Sequence, residues 1–236
     1  MATVDKSPPW QPPRLHPEGH PFVLGAAALA VLAFWLVSDT LGWLLVLLAL
    51  AMAFFFRHPW RRTPVLADAL VSAADGTVTH VTQEEPPAEL EMEGVRWRIS
   101  VFLSVLDVHV NRVPADGVVE RKLHVAGRFL NAMREEAAIA NERTLIRVAG
   151  SQGDYAIVQI AGLIARRIVC LLAEGDRVTA GEPFGIIRFG SRVDIYCPVG
   201  YHPWVAEGQR VIGGETIVAA ARPLTPAGAA LETRAS

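Results

Sequence analysis

The run from Phe22 to Phe56 constrains this chain more than any other feature. Of its 35 residues only Gly25, Ser38, Asp39, Thr40 and Gly42 fall outside the apolar set. A stretch of that length and composition belongs in a bilayer or against one. Ser38-Asp39-Thr40 divides it into Phe22–Val37 and Leu41–Phe56, each shorter than the roughly 20 residues of an ordinary span. Two short helices in a hairpin with Asp39 at the tip, one tilted span, and a shallow re-entrant hairpin all satisfy the pattern. Lys6 and Arg14 precede the run, Arg57, Arg61 and Arg62 follow it, and the tip has no Lys or Arg. The positive-inside bias then places both ends of a hairpin in the cytoplasm, with Trp60 at headgroup depth. Residues 1–21 hold six prolines and read as an extended tail. That tail lacks a signal-peptide cleavage pattern.

Composition matters for what lies beyond the run. The whole chain is 51% apolar, and removing the run leaves about 45%, an ordinary soluble composition. A polytopic transporter, a disordered chain and a plain cytosolic enzyme are thereby excluded. The remainder is one membrane anchor (22–56), an interfacial linker with a first strand (57–72), one globular domain (73–222) and a C-terminal tail (223–236). The net charge of −2, without a long basic block, argues against nucleic acid. Cys170 and Cys197 form no CxxC pair and read as buried thiols. No metal site is expected.

The globular part reads as mostly β. Leu70–Ala73, Thr77–Thr82, Arg96–Val101, Val118–His124, Tyr155–Ile164, Arg167–Leu172, Gly185–Phe189, Val193–Tyr196 and Thr216–Ala220 are short strand-like runs between turn residues. Gln83–Gly94, with five glutamates, reads as a solvated loop, and Phe129–Glu142 carries the best helical pattern. An internal repeat stands out. Ala173–Glu182 (AEGDRVTAGE) and Ala206–Glu215 (AEGQRVIGGE) agree at seven of ten positions, 33 residues apart. A weaker echo joins ADGTV at Ala74–Val78 to ADGVV at Ala115–Val119. Such paired turns suit a pseudo-symmetric barrel-sandwich hybrid.

The most informative tetrapeptide is Phe189-Gly190-Ser191-Arg192, whose serine reads on its own either as a turn residue or as a nucleophile. A serine hydroxyl can attack the carbonyl just before it when the turn is strained and a base is near, and glycine permits that strain. In DVHVNR, strand alternation puts Asp107, His109 and Asn111 on one face.

Three segments in order, Phe102–Val119 (FLSVLDVHVNRVPADGVV), Gly127–Ala132 with Ala140–Arg143 (GRFLNA…ANER) and Ile187–Pro198 (IRFGSRVDIYCP), resemble the short bacterial form of phosphatidylserine decarboxylase. The resemblance runs from about Ala73 to Ala220. It implies a self-processing proenzyme, cleaved between Gly190 and Ser191. The products would be a β chain (Met1–Gly190) and an α chain of 46 residues (191–236) whose first residue, formerly Ser191, becomes a pyruvoyl group. That group would form a Schiff base with phosphatidylserine and release CO2, making phosphatidylethanolamine for phospholipid biosynthesis at the cytoplasmic face of a bacterial cell membrane. Its partners would be the lipid substrate, the bilayer and the two chains as a heterodimer, with further oligomerisation open.

The same resemblance implies His109 as proton donor beside the pyruvoyl group and Asp75 as the acidic member of a cleavage triad. Long forms carry a second His three residues after the first; here Arg112 stands there. The base that activates Ser191 is therefore His109 itself or one of His80, His124 and His202. Arg192 is a candidate fork for the lipid phosphate or a solvated arginine, and Asp116 a turn residue. Two other classes fit the pattern less well. A lipoyl-type carrier would need a lysine between the repeats, and Glu182–Ala206 has none. An efflux adaptor would need a heptad hairpin, which is absent.

Overall fold

A computed structural model describes residues 13–163, 167–188, 190–221 and 233–235. Most of the proline-rich tail, residues 164–166, Phe189 and residues 222–232 and 236 lie outside the described residues. The chain divides into two units with the boundary between Trp60 and Arg61, so the linker assigned to 57–72 belongs partly to each.

In the first unit the apolar run folds as two helices, α1 (His20–Leu36) and α2 (Asp39–Phe55). Ser38 separates them because its extended backbone lets Oγ accept the Leu41 N–H, capping α2. Gly42 lets the helices close: a Cβ there would overlap the Phe34 ring. Below the helices, Arg14–Leu15 pairs antiparallel with Arg57–His58, and the Arg14 guanidinium stacks 3.8 Å from the Trp60 ring. Pro17–Leu36 is long and apolar enough to cross a membrane; Asp39–Phe55 is shorter. Leu24, Val31, Trp35, Trp43, Leu47 and Leu50 are all exposed.

The second unit is mostly β, a curled sheet with few helices. Besides the pair Arg62–Pro64 and Thr233–Ala235, its strands are β1 (Ala69–Val71), β2 (Gly76–Glu84), β3 (Arg96–Leu103), β4 (Val110–Arg112), β5 (Gly117–Val125), β6 (Arg143–Gly150), β7 (Gly153–Ile160), β8 (Ile168–Cys170), β9 (Arg177–Val178), β10 (Pro183–Ile187), β11 (Ser191–Tyr196), β12 (His202–Pro203), β13 (Arg210–Val211) and β14 (Ile217–Ala220). Eight form one antiparallel sheet in the order β9-β5-β6-β7-β11-β3-β2-β13. Two three-stranded sheets, β8-β10-β4 and β12-β14-β1, accompany it. Ile99, Val101, Val193 and Ile195 point into the main core, joined there by Ile157, Phe184 and Val218. The other face is covered by a smaller cluster around Leu90, Leu145, Val158 and Tyr196.

The repeats are the frame of this unit. β9, inside the first decapeptide, pairs with the ADG at β5, and β13, inside the second, pairs with the ADG at β2. Equivalent hydrogen bonds recur: Asp116 Oδ1 accepts the Ala180 N–H at 2.7 Å, and Asp75 Oδ1 accepts the Gly213 N–H at 2.8 Å. Gly181 donates to the Val113 carbonyl as Gly214 does to that of Ser72. Arg112 donates to Ala73 while Val71 donates to Pro114, a reciprocal pair at the centre of a pseudo-twofold arrangement. Even the bulges match, at Val78/His80 and Val119/Arg121.

The helix expected over Phe129–Glu142 shrinks to α3, Ala137–Ala140. Side chains explain the rest. Asn131 Oδ1 caps the Met133 N–H at 3.0 Å, an Asx turn, and Asn141 binds both backbone groups of Leu130. Residues 233–235, expected as tail, pair with Arg62–Pro64.

Candidate active site

Ser191 opens β11, a central strand, opposite Leu103 of β3. It is fully buried, and its Oγ makes no hydrogen bond to the described residues. An orphaned buried hydroxyl is rare enough to mark chemistry. Gly190 has φ of +62°, the left-handed region where any other residue would be strained. Its carbonyl lies against Gly162, where a Cβ would overlap the Gly190 oxygen.

His109 lies just before β4, whose Val110 pairs with Ile186 of β10. That register carries the histidine to the end of β10 that leads into Gly190. The ring is fully buried, and Nδ1 sits 3.0 Å from the Asp107 carbonyl oxygen. A carbonyl only accepts, so Nδ1 carries a proton, and in the neutral ring Nε2 holds the lone pair. Asp107 is itself fixed by Ser104, whose N–H and Oγ bond to it at 2.8 and 2.7 Å, and by Arg210. The other histidines are less suited: His80 is half-buried with its ring bonded to Thr79, and His124, bonded to Thr144, and His202 are exposed.

Asn111 and Gln159 share a buried 2.8 Å hydrogen bond, Gln159 Nε2 donating. Gln159 pairs with Val193, two residues beyond Ser191 on the same face. Asn111 Nδ2 and Gln159 Oε1 make no bond to the described residues. Polar capacity is thus left unused beside the serine, which fits a site that receives a small polar group.

Asp75 lies elsewhere. Leu103 pairs with Ser191 and Phe102 with Thr77, so Asp75 sits two strands across, about 10 Å at ordinary strand spacing. Its carboxylate binds Arg61 Nη2 at 2.6 Å and the Gly213 N–H. Neither Ser191 nor His109 is among its hydrogen-bond partners in the described residues. Burial pushes the carboxyl above its usual range, while Arg61 and Arg112 oppose the rise. Arg112, in the position of the long form's second histidine, is buried with Nη1 on the Gly181 carbonyl at 2.8 Å. Burial, with Arg61 nearby, brings its pKa down to about 10, so it stays charged at neutral pH. A guanidinium there cannot serve as the base.

A family model described as phosphatidylserine decarboxylase matches residues 48–219. The chain belongs to the phosphatidylserine decarboxylase family. Its relatives include three named phosphatidylserine decarboxylase proenzyme. The one from Beijerinckia indica subsp. indica is 47% identical over 87% of this chain and 88% of its own length. The one from Saccharopolyspora erythraea is 48% identical over 88% of each chain, and the one from Gluconobacter oxydans 47% identical over 93% of this chain and 87% of its own. Membership makes the chain a decarboxylase.

For a phosphatidylserine decarboxylase, Arg192 is placed unexpectedly. It is neither a solvated side chain nor an open fork for a lipid phosphate. Strand alternation turns it to the face opposite Ser191. There Nε and Nη2 grip Asp194 at 2.7 and 2.6 Å and Nη1 reaches the Arg134 carbonyl at 3.2 Å, with both ionic side chains buried. The fork is filled by protein. Gln159, Asn141, Gly162 and Arg61 went unnoticed in the sequence as site residues, although Asn141 lies inside the ANER segment.

Proposed function

We propose that the chain is a proenzyme that cleaves itself between Gly190 and Ser191 and then decarboxylates phosphatidylserine through the pyruvoyl group formed from Ser191. The observation that carries this reading is the buried Ser191 hydroxyl, without a hydrogen bond among the described residues, directly after a glycine held at φ +62°. In the first step Oγ attacks the Gly190 carbonyl carbon and its proton passes to a base. His109 Nε2, bearing the lone pair, is that base. The C–N bond breaks, the nitrogen of residue 191 takes a proton, and an ester joins Gly190 to Oγ. Removal of the Cα proton then expels the Gly190 carboxylate. The dehydroalanine left behind takes up water and loses ammonia.

Once formed, the pyruvoyl group supplies an electrophilic carbonyl that takes the lipid amine and accepts the electrons freed with CO2. Around it the chain's own residues bind and move protons. His109 returns a proton to the product carbon, and Asn111 and Gln159 offer their unused polar atoms to the headgroup. Asp75 acts at one remove, holding the 212–216 turn of the α chain through Gly213. The matched half-sites support the barrel-sandwich-hybrid reading. The α1–α2 pair, with its exposed Leu, Val and Trp side chains, serves as a membrane anchor whose two ends face the cytoplasm.

Mass spectrometry of the purified full chain tests the cleavage. The expected result is two chains, the smaller of 46 residues, near 5 kDa at the chain's mean residue mass (25.6 kDa over 236), with a carbonyl in place of its N-terminal amine. Ser191→Ala is expected to stay full-length and inactive. An intact wild-type chain with an ordinary Ser191 refutes the mechanism.

A further inference from the structure

We infer that Gly162 and Asn141 are positioning residues for the self-cleavage: Asn141 pins the Ala161 peptide, and Gly162, next in the chain, forms a wall without a side chain against which the scissile carbonyl of Gly190 is held. The inference rests on cleavage occurring between Gly190 and Ser191.

The Gly190 oxygen occupies the space a Cβ at Gly162 would need. The contact is between backbone and backbone, so no rotamer can relieve an added methyl. The wall is also fixed. Ala161 donates its N–H to the Glu142 carbonyl at 2.9 Å, and its carbonyl accepts Asn141 Nδ2 at 2.7 Å. The second Nδ2 hydrogen goes to the Leu130 carbonyl at 2.9 Å, and Oδ1 accepts the Leu130 N–H at 2.9 Å. These partners fix the orientation of the amide, since its nitrogen must face two carbonyls. Asn141 is fully buried and uses both amide hydrogens and its oxygen. Gly127 passes so close to the Asn141 backbone that a Cβ would overlap it, and Arg128 bridges to Asn141. The loop from Gly127 to Leu130 therefore braces Asn141, Asn141 braces Ala161, and Gly162 sets where the attacked carbonyl can lie.

Geometry of this kind acts on rate. Attack by Oγ needs the Gly190 carbon at a fixed approach, and a misplacement of about 1 Å can cost on the order of 100-fold. The two glycines at the site are required for different reasons. Gly190 needs its left-handed φ and has no described atom within 4 Å of its would-be Cβ, whereas at Gly162 the obstacle is the reacting group itself.

The test follows cleavage of the full chain by gel and mass spectrometry in Gly162→Ala and Asn141→Asp, with Ser191→Ala as the uncleaved reference for thermal melting. Gly162→Ala is expected to slow cleavage about 100-fold while melting within a few degrees of Ser191→Ala, and to keep the wild-type midpoint in the pH dependence of cleavage, because the base is untouched. Asn141→Asp keeps the acceptor for Leu130 but loses both donated bonds. Its buried carboxylate faces two carbonyl oxygens, which raises its pKa. The ratio of its cleavage rate to the wild-type rate should climb as pH falls, since the protonated acid regains one donor. If the wild type cleaves at Gly190–Ser191 and both variants cleave as fast, the positioning role is overturned and the self-cleavage reading stands. If the wild type itself stays intact, both fall.

Discussion

The Arg192–Asp194 pair offers the sharpest quantitative test of the structure. Both side chains are buried, joined by two hydrogen bonds of 2.7 and 2.6 Å. Arg192→Met keeps most of the side chain's length and removes its charge. Asp194 is then left with Arg98 as its nearest remaining cation, at 3.9 Å. Breaking a buried pair on one side costs about 3–5 kcal/mol, because an uncompensated charge stays inside. In a domain of 150–250 residues about 1 kcal/mol corresponds to roughly 2–4 °C in Tm, so the expected fall is about 6–20 °C. Asp194→Leu alone should cost a similar amount by stranding the guanidinium. The double variant should recover most of the loss, since replacing both partners by apolar groups is often close to neutral. The assay is thermal melting of the full chain in detergent, in the Ser191→Ala background so that every variant is one uncleaved polypeptide. Strict additivity of the two single losses, or a loss below about 1 kcal/mol for Arg192→Met, refutes the buried-pair account. A raised KM for phosphatidylserine with unchanged melting in the cleavable background would return Arg192 to the substrate.

The remaining expectations are simpler. Gly190→Ala meets no described atom within 4 Å but forces a side chain into left-handed backbone; it should cost about 1–2 kcal/mol and slow cleavage, and wild-type cleavage kinetics would contradict this. Tyr155→Phe removes a 2.6 Å bond from the phenol to the Ala115 carbonyl and should lower stability by about 1 kcal/mol, checked by melting. Arg61→Met tests the Asp75 environment. Burial raises that carboxyl's pKa and Arg61 opposes the rise. A raised folded pKa means that the neutral form is favoured, so the associated stability is present at low pH and lost as pH climbs through the folded value. Without Arg61 the pKa goes higher, and the variant's deficit in Tm should widen as pH rises above the ordinary carboxyl range; a deficit independent of pH would refute the assignment. Gly42→Leu should push the Phe34 ring away and loosen the α1–α2 pair, read as faster hydrogen exchange in α2 at unchanged decarboxylase fold.

What the sequence made legible was local or repeated. The apolar run and its break at Ser38 become two helices with Ser38 as the cap. The matching decapeptides become β9 and β13, each on its own ADG turn, because identical turn chemistry in two places can be satisfied by identical pairing. What it hid was set by register between distant strands. Nothing near Gly162 in the chain announces that Gly190 will lie against it. Nor does Arg61, just past the apolar run, advertise a partner at Asp75. The helical pattern of Phe129–Glu142 is overruled because Asn131 and Asn141 spend their amides on the backbone of the loop itself.

Arg192 shows how far a single boundary can carry. The sequence reading begins the strand at Val193, since Gly190 and Ser191 look like turn residues. With Ser191 outside the strand, nothing prevents the serine and the arginine from meeting one ligand. The observed strand begins at Ser191, and successive side chains in a strand point to opposite faces. Ser191 then joins Val193 and Ile195 on the core side, while Arg192, Asp194 and Tyr196 share the other. One face carries the buried Ser191 hydroxyl, the nucleophile proposed above, and the other carries the ion pair that stiffens the strand beneath it. A substitution at residue 192 should therefore register first in stability, and in catalysis only through the placement of Ser191.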